Sequence, residues 1–419
     1  MLVRTLELVQ SSAAKRTRFA RYILEGLTIV FVFMTGWFSR WGAWQNRNLV
    51  DFDTFYIVAQ RVWLGDVEQV YHFDSLLKMQ MDAAGGKFIS WAYPPQFDLL
   101  VAPLALIPVG AAYFLFTAAT LGLYLLTLRA VAKSYFALVV ILLSPALLIN
   151  LMNGQNGFLT GGLIGLACLT IERRQLAAGL SLGAMVIKPH LAIAFAVYAL
   201  LARRWITVIT ATTVILSSSI LCTLLLGPQI WSAFLGSVHD SAAFLGRGSG
   251  SFPLFRMISI YAVLRTAGFS ASLAFLSQVV VAVFALSVLA RAIYRQLPAH
   301  WCLGLAAVAS VLISPYAYDY DLTILGMGMA LLLPDLTRLA SARERAAIYS
   351  MTLIAGSYSW FQILLASVQY GTGVIEHPIL AFSGFALLVL LWLILRVLLR
   401  GVGELRLELQ QAGSSSYEH

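Results

Sequence analysis

Long apolar runs recur along the whole chain, and short polar stretches interrupt them. Runs this long and continuous predict helices that cross a membrane, because about 20 apolar residues span a bilayer core. The strands of a membrane barrel would alternate instead. A first span is expected over 23–38. Ahead of it lies a basic segment, 1–22, with Arg4, Lys15, Arg16, Arg18 and Arg21; a short amphipathic helix on the membrane is one reading of it. Trp37, Trp41 and Trp44 follow, as an interfacial aromatic belt would. The next stretch, 38–110, reads as a structured loop. Within it, 53–64 has helical periodicity, with Phe55, Val58, Ala59 and Val62 on one face and Gly65-Asp66 as the stop. A second short helix is expected over 73–81. The apolar run 97–107 lies between Pro94-Pro95 and Pro108, too short to span, and reads as a helix lying partly in the membrane.

Further spans are expected over 111–131, 135–149, 157–171, 177–187, 191–202, 206–226, 268–292, 300–314, 321–334, 347–368 and 378–400. That makes about twelve crossings, several shorter than a flat bilayer requires. The short ones pair through polar turns at 150–157, 188–190 and 314–321. Such pairs suggest a wet cavity cut into the membrane from one side, since non-helical backbone at that depth must line water or be buried. A second outward loop covers 228–267, with a Gly/Ser-rich centre that reads as mobile. Residues 401–419 read as a short polar tail with frayed ends. No internal repeat is evident, and 23–400 reads as one membrane domain.

Composition sharpens this picture. Of 419 residues, 60% are hydrophobic and 11% charged, against about 25% charged in soluble domains. The net charge is +9, and most Lys and Arg fall on one side of the expected topology. This is the positive-inside pattern. It puts both termini in the cytoplasm and the 38–110 loop on the periplasmic side, and implies nothing about nucleic acid. With no small-residue cleavage site after it, the first apolar segment reads as a retained helix. Cys168, Cys222 and Cys302 sit inside apolar runs, as small core residues would, without disulfide or metal-ligand spacing.

Ionisable groups near membrane depth are costly and usually paired or functional. Here they gather on the outward side. Asp51 and Asp53 stand two residues apart. Asp53 reads equally as a helix cap or a functional acid, whereas Asp51 lies too far ahead to cap and suits a general base. Lys188 joins two short helices and suits a phosphate. His190 reads equally as a structural histidine or a phosphate or hydroxyl contact. Arg247 and Arg256 lie in the second loop. Asn153-Gly154-Gln155-Asn156-Gly157 reads as a turn whose amides could meet hydroxyls. In 314–321, Tyr316, Tyr318 and Tyr320 interleave with Asp319 and Asp321, which suits either sugar binding or an interfacial belt. A Gly-rich nucleotide loop is absent.

Five pieces in order make the chain resemble glycosyltransferase family 87, a branch of the GT-C membrane glycosyltransferases. They are Asp51-Phe52 with Phe55-Tyr56, Leu64-Gly65-Asp66 and Tyr71; Tyr93-Pro94-Pro95 with Ala102-Pro103-Leu104 and Ile107-Pro108; Ser144-Pro145 followed by Gly154-Gln155-Asn156; Ala178-Gly179 followed by Ile187-Lys188-Pro189; and Ser314-Pro315 leading to Tyr320-Asp321-Leu322. The resemblance implies an all-α polytopic GT-C-type fold in the inner membrane. It implies an inverting hexosyltransferase, a mannosyltransferase above all, that uses a polyprenyl-phosphate sugar donor and a lipid or glycan acceptor. By motif, Asp51 takes the place of the catalytic base; Asp53 falls outside the pattern. Lys188, His190, Arg247 and Arg256 are expected at the donor phosphate. Asp53, Tyr93, Gln155, Asn156, Asp319, Tyr320 and Asp321 are expected at sugar or acceptor. The donor is a substrate, no cofactor and no metal-ligand cluster is expected, and assistance by a divalent ion is left open. Some mannosyltransferases of the family carry histidines where this chain has Asp319 and Asp321, a departure that bears on sugar and acceptor. The alternative from another class is a transporter or flippase of a lipid-linked sugar.

Overall fold

The structure, a computed structural model, describes residues 2–40, 47–83, 88–247, 253–370 and 379–415. Among them it is helix and turn, with one isolated bridge between Met257 and Tyr318. α1 (Leu2–Gln10) leads into α2 (Ala13–Phe38), which Ser12 caps by accepting from the Lys15 amide at 3.2 Å. The helix therefore starts ten residues before the expected span and includes Lys15, Arg16, Arg18 and Arg21 of the basic segment. Trp41 and Trp44 lie outside the described residues. The first loop folds as α3 (Asp51–Leu64), a 3₁₀ turn (Val67–Tyr71), α4 (Phe73–Ala83) and α5 (Pro95–Val101). α3 ends at Gly65, whose φ of 76° suits glycine. The expected 97–107 helix is α5 running into a 3₁₀ turn, Ala102–Leu106, where Pro103 prevents the α-helix from continuing.

The bundle continues with α6 (Val109–Ala132), α7 (Phe136–Asn153), α8 (Gly157–Thr170), α9 (Gln175–Ala184), α10 (Ile193–Leu201) and α11 (Trp205–Leu226). After the second loop come α14 (Ala271–Tyr294), α15 (Ala299–Ile313), α16 (Thr323–Leu339), α17 (Ala342–Tyr370) and α18 (Ser383–Ser415); the loop itself holds α12 (Gln229–Arg247) and α13 (Ile260–Thr266). By length and composition, six helical stretches among the described residues are long and apolar enough to cross a membrane. Four shorter apolar ones accompany them. This is an all-helical, multi-pass membrane protein.

Burial sorts these helices. α7, α15 and α16 are buried almost all round and form the centre. α11 and α14 present Leu, Ile, Val and Phe outward, as helices that meet lipid do. A second, aromatic cluster covers one end of the bundle. There Phe38 stacks on Tyr113 at 4.1 Å between centroids, and Phe52, Phe55, Trp91 and Phe97 pack around them. This cluster fixes α3 and α5 against the start of α6.

Two expectations need correcting. Much of the second loop is helical, because Ile230, Phe234, Ser237, Ser241 and Leu245 recur at three- and four-residue intervals; intervening Ser, His, Asp and Gly hid the pattern. Its Gly/Ser centre, 248–252, lies outside the described residues. The tail is also helical as far as Ser415, since Glu404 to Gln411 are strong helix formers.

Candidate functional site

Polar turns from five parts of the chain meet beside the aromatic cluster. α3 begins at Asp51, with Val50 as its N-cap and Asp53 in the third position. The turn between α7 and α8 is pressed directly against it. Gly154 has φ 61°, and a Cβ there would lie 2.5 Å from the Phe52 Cβ. Only glycine therefore lets the Gln155-Asn156 turn approach the Asp51 helix so closely. At Gly157 a Cβ would stand 2.3 Å from the Tyr320 carbonyl, so the same turn also touches the 314–322 segment. Asn150 fixes that second contact by donating to the Tyr320 carbonyl at 2.8 Å. The 314–322 segment also takes up the second loop, through Ile258 N–H donating to the Ala317 carbonyl at 2.9 Å.

Cations and carboxylates then pair within the cleft. The Lys188 ammonium donates to Asp321 Oδ1 at 2.8 Å, and lies 4.6 Å from the Tyr320 ring centre and 5.6 Å from that of Tyr93. Arg256 grips Asp319 through two bonds, Nε to Oδ2 at 3.0 Å and Nη2 to Oδ1 at 2.9 Å. Ser359 of α17 adds a third bond to Asp319 at 2.7 Å. The Tyr318 and Tyr320 rings stack 5.4 Å apart, and Tyr93 donates to Gln155 at 3.3 Å.

Asp51 differs from these acids. Among the described residues it has no ion-pair partner. Burial pushes its carboxyl above the usual aspartate range, and Arg256, the Gln155 amide and Lys188 pull the other way. It is a carboxylate within the field of two cations but bound to neither. That leaves it able to accept a proton.

Asp53 behaves otherwise. Both of its oxygens take the Arg47 guanidinium, at 2.6 and 2.7 Å, and Oδ2 also accepts from the Val50 amide at 2.9 Å. It closes the first turn of α3 from within rather than from the N-cap position expected for it. Asp319 and Asp321, expected at sugar or acceptor, are likewise committed to cations. The side chain of Arg247 lies outside the described residues.

A cavity of about 320 Å³ opens beside these groups. Tyr93, Lys188, His190 and Tyr320 form its polar side, and Phe234 and Val238 of α12 its apolar side. Asp51 and Gln155 do not line it; Lys188, which does, is electrostatically coupled to Asp51. His190 Nε2 is buried without a hydrogen-bond partner among the described residues, and burial pushes the ring's pKa down to about 4, so the imidazole is neutral at pH 7. Asn156 is fully buried beside Tyr93, and by hydrogen-bond geometry neither side-chain atom has a partner among the described residues. Unpaired buried amides are costly and invite a ligand.

A family model for glycosyltransferase family 87 matches residues 91–315, more than half of the chain. The chain belongs to this family. The match takes in Tyr93, the Gln155-Asn156 turn, Lys188, His190 and Arg256; it begins after Asp51 and stops short of Asp319. No curated protein and no solved structure matches. In this GT87 glycosyltransferase, three structurally prominent groups escaped the sequence reading. They are Arg47, Ser359 and Asp98, the last fully buried and bonded to Tyr71 and Trp91. Asp98 is an ionisable residue inside the apolar run 97–107, which is a usable signal; Arg47, among Gln45, Asn46 and Asn48, gives none. Ser359 carries none.

Proposed function

We propose that the protein transfers a hexose, mannose in the first instance, from a polyprenyl-phosphate donor to a lipid or glycan acceptor, with inversion. The reaction takes place at the periplasmic face of the inner membrane, in a chain of about twelve crossings with both termini cytoplasmic. The observation that carries this reading is the state of Asp51. Among the described residues it is the carboxylate without an ion-pair partner, in a cluster where Asp53, Asp319 and Asp321 are all ion-paired.

In the proposed reaction Asp51 takes the proton of the acceptor hydroxyl as its oxygen attacks the anomeric carbon. The bond from that carbon to the phosphate oxygen breaks, and polyprenyl phosphate leaves with its electron pair. Lys188 gives one of its three N–H donors to Asp321 and has two for the phosphate. Arg256 uses Nε and Nη2 on Asp319 and keeps Nη1. Charge that develops on the leaving group is stabilised by such fixed cations. Asp319 and Asp321 then aim the cations instead of touching sugar. Neutral His190 supplies a hydrogen bond, while Tyr93, Tyr320, Gln155 and Asn156 supply ring faces and amides for sugar hydroxyls.

Purified protein given radiolabelled polyprenyl-phosphate mannose should move label to an acceptor extracted from its own membranes. Nucleotide-linked mannose should yield none. Transfer from the nucleotide sugar at an equal rate would contradict the donor assignment.

A further inference from the structure

At the end of the bundle away from the cleft, α2 and the junction between α6 and α7 enclose an open groove of about 980 Å³. The placement follows from the helices. α2 runs from the groove to Phe38, which stacks on Tyr113 in the aromatic cluster, and α6 runs back from Tyr113 to Arg129.

Four cations line the groove: Arg16 and Arg21 on α2, Arg129 in the last turn of α6, and Lys133 just beyond it. Lys133 turns the chain from α6 towards α7 at φ 49°, an uncommon conformation for lysine. Glu25 is the one carboxylate among the described lining residues, and Arg21 holds it at 2.6 Å. Arg16 gives one N–H to the Gln10 carbonyl at 3.2 Å. Arg129 and Lys133 have no ion-pair partner among the described residues. Further along α2 the lining adds the apolar Leu24 and Ile29 beside Glu25 and Thr28, and Phe136 and Ala137 of α7 lie opposite. Ile29 lies about 20 Å along the helix from Arg16, into the part of α2 that the hydrocarbon surrounds. The positive-inside rule would by itself scatter cations at this level. It would not face cations from two separate segments across one groove that also presents Leu24, Ile29 and Phe136.

We propose that this groove binds an anionic phospholipid, its phosphate between Arg16, Arg129 and Lys133 and an acyl chain along Leu24 and Ile29. A free anion would use the cations but leave the apolar wall empty.

Native mass spectrometry of the full-length protein in detergent, titrated with phosphatidylglycerol, phosphatidylcholine or inorganic phosphate, tests this. Wild type should bind phosphatidylglycerol more tightly than phosphatidylcholine. Arg129→Gln with Lys133→Gln should weaken phosphatidylglycerol about thirtyfold, from about fivefold per charge. Arg129→Lys with Lys133→Arg should restore it. Arg291→Gln with Arg295→Gln, which removes equal charge at the exposed end of α14, should leave it unchanged. If the double variant fails to fold, Arg129→Gln alone carries the fivefold expectation. An equal loss in the α14 variant would overturn the site, as would equal binding of phosphatidylcholine to wild type. Inorganic phosphate binding as tightly as phosphatidylglycerol would show an anion site and overturn the lipid.

Discussion

Asp51 and Asp53 are two residues apart and chemically opposite. One faces two cations without contact, and the other is locked to Arg47. That difference has a consequence in pH. A base must be ionised to work, and burial raises the Asp51 carboxyl above its ordinary range. The acid limb of kcat/KM should therefore lie at higher pH than an ordinary aspartate would give, and activity should fall as pH drops through it. A limb at or below pH 4 would mean that another group titrates. His190 should leave no mark near pH 6.5, because burial holds it neutral down to about pH 4. At this scale the sequence was informative about which side chains matter and silent about their partners. Asp51, Lys188, Gln155 and Asn156 stood out as polar breaks in apolar runs. The pairing of Asp319 with Arg256 and Ser359 joins three distant segments, and no spacing along the chain encodes it.

At the scale of elements, the site depends on how α3 is anchored. Its first turn is closed by the buried Arg47–Asp53 pair, and the guanidinium also lies 4.0 Å from the Trp37 ring centre. Breaking a buried pair from one side strands a charge, at a cost of about 3–5 kcal/mol. Arg47→Met should therefore lower stability by that order, and Arg47→Met with Asp53→Asn should recover most of it. Chemical denaturation of the three proteins in one detergent measures this. A double variant no better than the single would show that the pair contributes packing rather than charge balance. The helix itself was legible from Phe55, Val58 and Ala59 on one face, all of them buried. Its start was not, because the cap depends on Arg47. α12 was missed for a related reason. The face it turns to the cleft mixes Ser237 and Ser241 with Ile230, Phe234 and Leu245, so the apolar periodicity is interrupted.

For the molecule as a whole, the apolar runs predicted the helices closely, since continuous hydrophobic length is what a bilayer selects. Which ends meet was not readable, because packing between helices leaves little trace in hydropathy. The proposed orientation can be tested without removing native thiols, as Cys168, Cys222 and Cys302 are all buried. A cysteine placed at Glu68 should react with an impermeant maleimide in intact cells, and one at Arg203 only after lysis. The reverse pattern would invert the topology and move the site to the cytoplasm. The central claim concerns Asp51, and one comparison tests it most directly. Its raised carboxyl means that ionisation costs folding free energy: the stability it contributes is present below the unfolded pKa and lost as pH rises through the folded one. Asp51→Asn removes that cost at pH 7. Measured side by side with wild type on a polyprenyl-phosphate sugar, Asp51→Asn should lose about 10²-fold or more in transfer while its Tm stays equal or rises. Full transfer by a folded Asp51→Asn protein would contradict the account.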